Sequence, residues 1–170
     1  MLLENFDPSK TYTRQKKFDC GNDTINRFVH GSLKKQVREN LSRAAVLLDD
    51  EADGRFAGFY TLTSFTIEAP LLAELSSGRL PNQVPCVRMV MLGIDKHYQG
   101  QKLGRKLLQD AIRRMIDAAD SIGIYGLYLD ADPSAVDFYR HLGFIFLAER
   151  FPDQPTPMFL PIETVRSSLP

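Results

Sequence analysis

The segment Tyr98-Gln99-Gly100-Gln101-Lys102-Leu103-Gly104 joins an apolar run, Met89 to Ile94, to a long amphipathic stretch. That order predicts a strand, a glycine-bearing turn and a helix. The first N–H groups of a helix have no internal partners, and they lie at the positive end of the helix dipole. Such a turn is a seat for a phosphate or diphosphate. Downstream, Asp132-Pro133-Ser134-Ala135-Val136-Asp137-Phe138-Tyr139-Arg140-His141-Leu142-Gly143-Phe144 can place a phenol beside that seat.

The rest of the pattern alternates strands with helices. Asn22 or Asp23 can cap a helix carrying Ile25, Phe28 and Val29, and Gly31-Ser32 separates it from a second, Leu33 to Asn40. Ala44 to Leu48 and Arg55 to Ile67 read as an antiparallel hairpin across the turn cluster 49–54. Pro70 to Leu75 reads as a short helix, 81–85 as loop, and Cys86 to Asp95 as the strand entering the glycine turn. Leu103, Leu107, Leu108, Ala111, Ile112, Met115, Ile116 and Ala119 share one face of a helix about five turns long. Ile124 to Asp130 reads as a buried strand. Asp132 reads as the N-cap and Pro133 as the first residue of a short helix that Gly143 ends; strands at Phe144 to Ala148 and Met158 to Leu160 follow. The expectation is one α/β (α+β) domain over residues 1–170, a mixed sheet packed between helices.

Composition narrows the class. An apolar content of 44% supports a folded globule, and no apolar run approaches the length of a membrane span. The first residues lack the basic-then-apolar layout of a signal peptide, so the expected location is cytoplasmic, with no membrane partner. Cys20 and Cys86 form no paired motif and read as buried thiols. His30, His97 and His141 have no metal-ligand spacing, so no metal is expected. Net charge is zero but unevenly spread: residues 10–45 hold nine Lys/Arg against three Asp/Glu, and residues 117–170 hold three against eight. Arg27, Lys34, Lys35, Arg38 and Arg88 are candidates for a surface that meets a polyanion.

Strand, glycine turn, long helix, strand, then a helix with Phe138-Tyr139 ending in Gly143-Phe144: this order resembles the GCN5-related N-acetyltransferase (GNAT) superfamily. The family's acetyl-CoA motif, Gln/Arg-x-x-Gly-x-Gly/Ala, is matched at Gln99 and Gly104, with Lys102 in place of the middle glycine. A narrower resemblance runs through Lys17-Phe18-Asp19-Cys20-Gly21, Ile25-Asn26-Arg27-Phe28 and Gly58-Phe59-Tyr60-Thr61-Leu62. These segments are similar to the acetyltransferase toxins of bacterial toxin–antitoxin modules, which acetylate the α-amine of aminoacyl-tRNA and block translation. The chain departs from them at Met91-Leu92-Gly93-Ile94-Asp95, where they often carry Arg-Leu-Ala-Val-Asp, and in being neutral where they are usually basic.

The resemblance implies a GNAT fold, its mostly antiparallel sheet splayed at two parallel strands. It implies acetyl-CoA as co-substrate, aminoacyl-tRNA as acceptor, a ribbon–helix–helix antitoxin as partner and a homodimer. N–H groups at Leu92, Gly93 and Ile94 would meet the pantetheine arm or thioester oxygen. Gln99, Gly100, Gln101, Lys102, Leu103, Gly104 and Arg105 would hold the diphosphate, with Asp132 and Phe138 beside the cofactor. Tyr139 would protonate the departing thiolate; a phenol near pKa 10 carries its proton at neutral pH. The strand Met89 to Ile94 has no Glu or Asp to deprotonate a lysine. An α-amine near pKa 7.7–8.0 needs less help, which favours it as acceptor. His97 follows the strand and reads as a surface histidine. Two alternatives stand beside this reading: a GNAT enzyme for a small amine or protein N-terminus, and a non-catalytic acyl-CoA-binding protein.

Overall fold

The computed structural model describes residues 1–76 and 78–168. Its seven strands are β1 (Leu2–Asn5), β2 (Arg43–Asp49), β3 (Arg55–Glu68), β4 (Gln83–Ile94), β5 (Gly126–Ala131), β6 (Ile145–Phe146) and β7 (Thr156–Pro161). They form one sheet in the order β1-β2-β3-β4-β5-β7-β6. The pair β4/β5 is parallel; β1/β2, β2/β3, β5/β7 and β6/β7 are antiparallel. The helices are α1 (Asp23–Arg27), α2 (Leu33–Arg38), α3 (Leu103–Ala119), α4 (Val136–His141) and α5 (Ile162–Ser168). Two compact units result, residues 1–63 with 89–111 and residues 64–88 with 112–168, and β3, β4 and α3 each run from one into the other.

In the first unit, the β2 residues Ala44 to Leu48 are all buried, and Ala44, Val46 and Leu48 pack with Val29, Leu33 and Val37 under α1 and α2. Phe18, Phe56 and Phe59 meet edge-on or tilted with ring centroids 5.3–6.0 Å apart, and Val29, Leu33 and Val37 close the core. The Asn22 carboxamide caps α1 by accepting from the N–H groups of Thr24 and Ile25. The expected break at Gly31-Ser32 is absent. A π-helical turn over Phe28–Ser32 carries α1 into α2, and the Gln15 amide donates to the Val29 carbonyl at 3.3 Å. Gly31 is tolerated there without ending the helix, since nothing requires it to adopt a positive φ.

In the second unit, Ile67, Leu72, Val84, Cys86 and Phe159 form a core with Phe65, Tyr125 and Tyr128 against it. The segment 69–75 is a 3₁₀ helix, and β4 begins at Gln83, within the expected loop. The expected strand over 144–148 shrinks to the two residues of β6, while the last strand extends to Thr156–Pro161. Asp132 does not cap α4. Its carboxylate accepts from the backbone and hydroxyl of Ser134, its carbonyl accepts the Ala135 N–H at 2.8 Å, and the helix starts four residues later, at Val136. Gly143 does end α4: with φ 93° it lets its own N–H reach the Arg140 carbonyl and the Phe144 N–H reach the Tyr139 carbonyl. That is a Schellman closure, and it fixes Tyr139 on the last turn.

Candidate active site

The glycine turn is held by polar groups that the chain draws from three segments of the first unit. Asp95, 2% exposed, donates its N–H to the Ala57 carbonyl of β3 and accepts the N–H of Asp19 and both the N–H and Nδ1 of His97. Arg55 lies 3.7 Å from the same carboxylate and stacks over the Tyr98 ring. Burial pushes the Asp95 carboxyl up, but the His97 and Asp19 hydrogen bonds and the Arg55 charge outweigh it and hold it below its ordinary value. Gln99 spends both amide protons on the turn, one to the Cys20 carbonyl and one to the Ile94 carbonyl, each at 2.9 Å. Lys96 bonds Asp19, and with the Gly21 N–H and Asn26 it lowers that carboxyl to about 2.

On this frame, Gly100 (φ 80°) and Lys102 (φ 59°) both take left-handed backbone before α3 begins at Leu103. Lys102 therefore occupies, as a non-glycine, the conformation that the missing motif glycine would adopt freely. Its side chain is exposed, as are Gln101 and Arg105. The N–H groups at the head of α3 are those a helix leaves without internal partners. Upstream, Gly93 and Ile94 are buried and Leu92 is half-buried. Because the Asp95 N–H points to β3, strand alternation turns the Ile94 and Leu92 N–H groups to the opposite edge of β4. The residues expected at a cofactor in this unit, Leu92 to Ile94 and Gln99 to Arg105, thus form one continuous backbone path.

In the second unit, Tyr139 is 8% exposed and packs edge-on against Phe138 at 5.1 Å and Phe144 at 5.4 Å. Burial, and then the Asp132 charge, push its phenol up to about 12. Phe138 keeps 37% of its surface open on the same helix. The parallel register joins Val87 to Leu127 and Arg88 to Tyr128, while β4 continues to Ile94 and β5 to Ala131.

The basic candidates divide. Lys35 and Arg38 are exposed on α2. The Arg27 Nε donates to the Asp23 carbonyl, and half-buried Lys34 donates to the Lys10 carbonyl at 2.7 Å. Arg88 is committed elsewhere: it donates to Asp130 at 2.9 Å and lies over the Phe65 and Tyr128 rings. The Tyr128 hydroxyl donates to the other Asp130 oxygen at 2.8 Å. Sequence reasoning missed this cluster, although Tyr128 and Asp130 stand two apart on one strand and so share a face. It also missed the buried Asp110 of α3, which accepts the Tyr60 hydroxyl at 2.5 Å. Cys86 is buried, its thiol pushed up to about 12, and Cys20 is half-buried. No group of His, Cys, Asp or Glu that could hold a metal is found among the described residues, and no helix among them is long and apolar enough to cross a membrane.

Residues 10–158 match the acetyltransferase (GNAT) domain family, so the chain belongs to that family and is an N-acetyltransferase. A probable toxin TacT of Sinorhizobium fredii is 30% identical over 98% of the chain and 93% of its own length. A tRNA-acetylating toxin of Mycobacterium tuberculosis is 34% identical over 68% of each chain. Among solved structures, a bacterial toxin superposes with a TM-score of 0.92 at 36% identity, covering 98% of this chain and 93% of that one. A mutant AtaT toxin, bound to the C-terminus of the antitoxin AtaR and acetyl-CoA, gives 0.81 at 28%, covering 98% and 96%. AtaT complexed with acetyl-methionyl-tRNAfMet gives 0.85 at 26%, covering 98% and 97%.

Proposed function

We propose that this protein is a toxin that transfers the acetyl group of acetyl-CoA to the α-amine of aminoacyl-tRNA and so blocks translation. The observation that carries the chemistry is Tyr139, a buried phenol locked on the closed end of α4 and protonated at every physiological pH. The acceptor follows from the AtaT and mycobacterial relatives and from a β4 strand without a carboxylate before Asp95.

The backbone N–H groups from Gln101 to Arg105 hold the diphosphate, and Gln99 keeps the turn in shape. The Leu92 and Ile94 N–H groups, on the free-running end of β4, donate to the pantetheine carbonyls or to the thioester oxygen; a donor to the thioester oxygen contributes about 3 kcal/mol of barrier lowering. The neutral acceptor amine attacks the thioester carbon, forming C–N as C–S breaks. Tyr139 gives its proton to the departing sulphur as charge builds there, and the proton shed by the amine passes to water, from which the phenol is reprotonated. The domain works as one over the full chain, in the cytoplasm, as a homodimer held inactive by a ribbon–helix–helix antitoxin whose tail wraps the enzyme.

The test is incubation of the purified protein with radiolabelled acetyl-CoA and total charged tRNA, with label counted in the RNA. Label that vanishes when the tRNA is deacylated beforehand is the expected result. Label in polyamines or peptides and none in RNA would move the acceptor to small amines or protein N-termini. Acetyl-CoA binding with no transfer to any amine would leave a binding protein.

A further inference from the structure

A concavity lies wholly within the first unit, a cleft of about 670 Å³ between the turn 11–17 and the π-helical turn with the start of α2. Tyr12 and Val29, both buried, line its floor, and Arg14, Lys16, Lys17 and Lys34 stand around it. Its walls are tied together. The buried Gln15 amide crosses to the Val29 carbonyl, and His30 Nε2 donates to the Phe18 carbonyl at 2.9 Å. One wall is rigid at the backbone: Phe56 donates to the Thr13 carbonyl at 2.9 Å and Lys17 to the Arg14 carbonyl at 2.9 Å. Between them Arg14 is held at φ 61°, a conformation non-glycine residues rarely adopt. Strain of this kind persists where the surroundings over-determine it, which happens at ligand clamps.

The charge around the cleft is also unbalanced. Among the described residues no carboxylate pairs with Arg14, Lys16, Lys17 or Lys34. Among the described residues, the only ion pair from a Lys or Arg of the segment 10–45 joins Lys10 to Glu4. Among the described residues, Arg27 of α1 and Lys35 and Arg38 of α2 likewise have no carboxylate partner. A single phosphate needs neither that volume nor that track. A sugar–phosphate chain uses both, with a sugar or base over the apolar floor and phosphates along the rim.

We propose that this cleft, with Arg14, Lys16 and Lys17 as its principal cations, seats the phosphodiester backbone of the tRNA substrate. The proposal rests on the aminoacyl-tRNA reading above and adds a place and residues to it. Contacts of this kind read charge and spacing rather than sequence, so they should serve many tRNAs alike.

The experiment is a salt titration of binding to fluorescently labelled, deacylated tRNA, which requires no acetyl transfer. Parent protein, Lys16→Glu/Lys17→Glu and the milder Lys16→Gln/Lys17→Gln are compared, with acetyl-CoA binding as the check on folding. Each lost phosphate contact lowers the log–log salt slope by about 0.7–0.9. The Gln pair is therefore expected to lose about 1.5 from the slope, and the Glu pair to bind at least tenfold more weakly near 0.1 M salt, with acetyl-CoA binding unchanged. An unchanged slope in both variants of a tRNA-binding parent overturns the cleft and leaves the tRNA reading standing. A parent that binds no tRNA overturns both.

Discussion

Replacing Tyr139 by Phe isolates one proton. The ring stays, so its edge-on contacts with Phe138 at 5.1 Å and Phe144 at 5.4 Å stay too. No hydrogen bond to the hydroxyl is found among the described residues, so its removal leaves no partner stranded. Stability should change by less than about 1 kcal/mol. Turnover is another matter. With the phenol pushed up to about 12, only about one molecule in 10⁵ is ionised at pH 7, so the group can act only as an acid. Loss of such an acid costs about 10²–10⁴ in kcat, which is about 2.7–5.5 kcal/mol of barrier. The assay is single-turnover acetyl transfer to charged tRNA across pH 6–10, beside a melting curve. In the parent the rate should rise as the acceptor amine loses its proton and then stay flat, because Tyr139 does not titrate in that range. The Phe variant should keep the rising limb at a uniformly lower rate. Unchanged turnover in a variant that melts like the parent would remove Tyr139 from the mechanism. A parent rate that falls between pH 8 and 10 would refute the elevated phenol as the acid.

Further outcomes follow from the supporting frame. Lys102→Gly relieves a left-handed residue that costs an L side chain about 1–2 kcal/mol, so the melting temperature should rise or hold while acetyl-CoA affinity, by calorimetry, is kept; a loss of affinity would give the Lys102 side chain a binding role. Asp19 carries a lowered carboxyl in the folded state, so its stabilisation is present above its ordinary value near 3.8 and is lost as pH falls towards about 2. Acid titration followed by hydrogen exchange at residues 18–21 should show opening in that window in the parent and no such transition in Asp19→Asn. In Gly126→Ala, a new Cβ would meet the Leu160 carbonyl oxygen and, at 2.5 Å, the Phe159 ring. Neither can yield without moving β5 from β7, so a loss of about 2–3 kcal/mol is expected, read as a drop of roughly 5–10 °C in melting temperature.

How far the sequence could be read depended on whether a feature was local. The α3 face, the Asn22 cap and the Gly143 ending were legible because each is written in residues a few positions apart. So was the glycine turn, since its special backbone angles fall where Gly100 and the motif position Lys102 stand. Strand β1 was not legible: four residues owe their extended form to pairing with β2, forty-odd positions away. The same holds for Thr156 and Pro157, drawn into β7 by β5, and for α5 behind Pro161, which neither a clear cap nor strong helix formers announce. Asp132-Pro133 looked like a helix start because both residues favour one, but Asp132 bonds Ser134 first, and the turn it closes delays α4.

The basic residues show where charge counting misleads and what corrects it. Arg88 and Lys34 are equally cationic in sequence, yet Arg88 is neutralised by Asp130 and held between two rings, while Lys34 spends one donor on a carbonyl and keeps its charge unpaired. A cation already paired must break that pair before it can take a phosphate, and a half-buried one must also leave its aromatic contacts. Zero net charge is therefore no argument against a polyanionic substrate. What decides is whether unpaired cations are gathered at one place, and Arg14, Lys16, Lys17 and Lys34 line one cleft whose two turns are tied by the Gln15–Val29 bond. The acidic excess of residues 117–170 is spent in part on local pairs, Asp137 with Arg140 and Arg150, and Asp120 with Arg166. Net charge sums such local pairs and unpaired cations alike, so a total of zero says little about the field over any one surface.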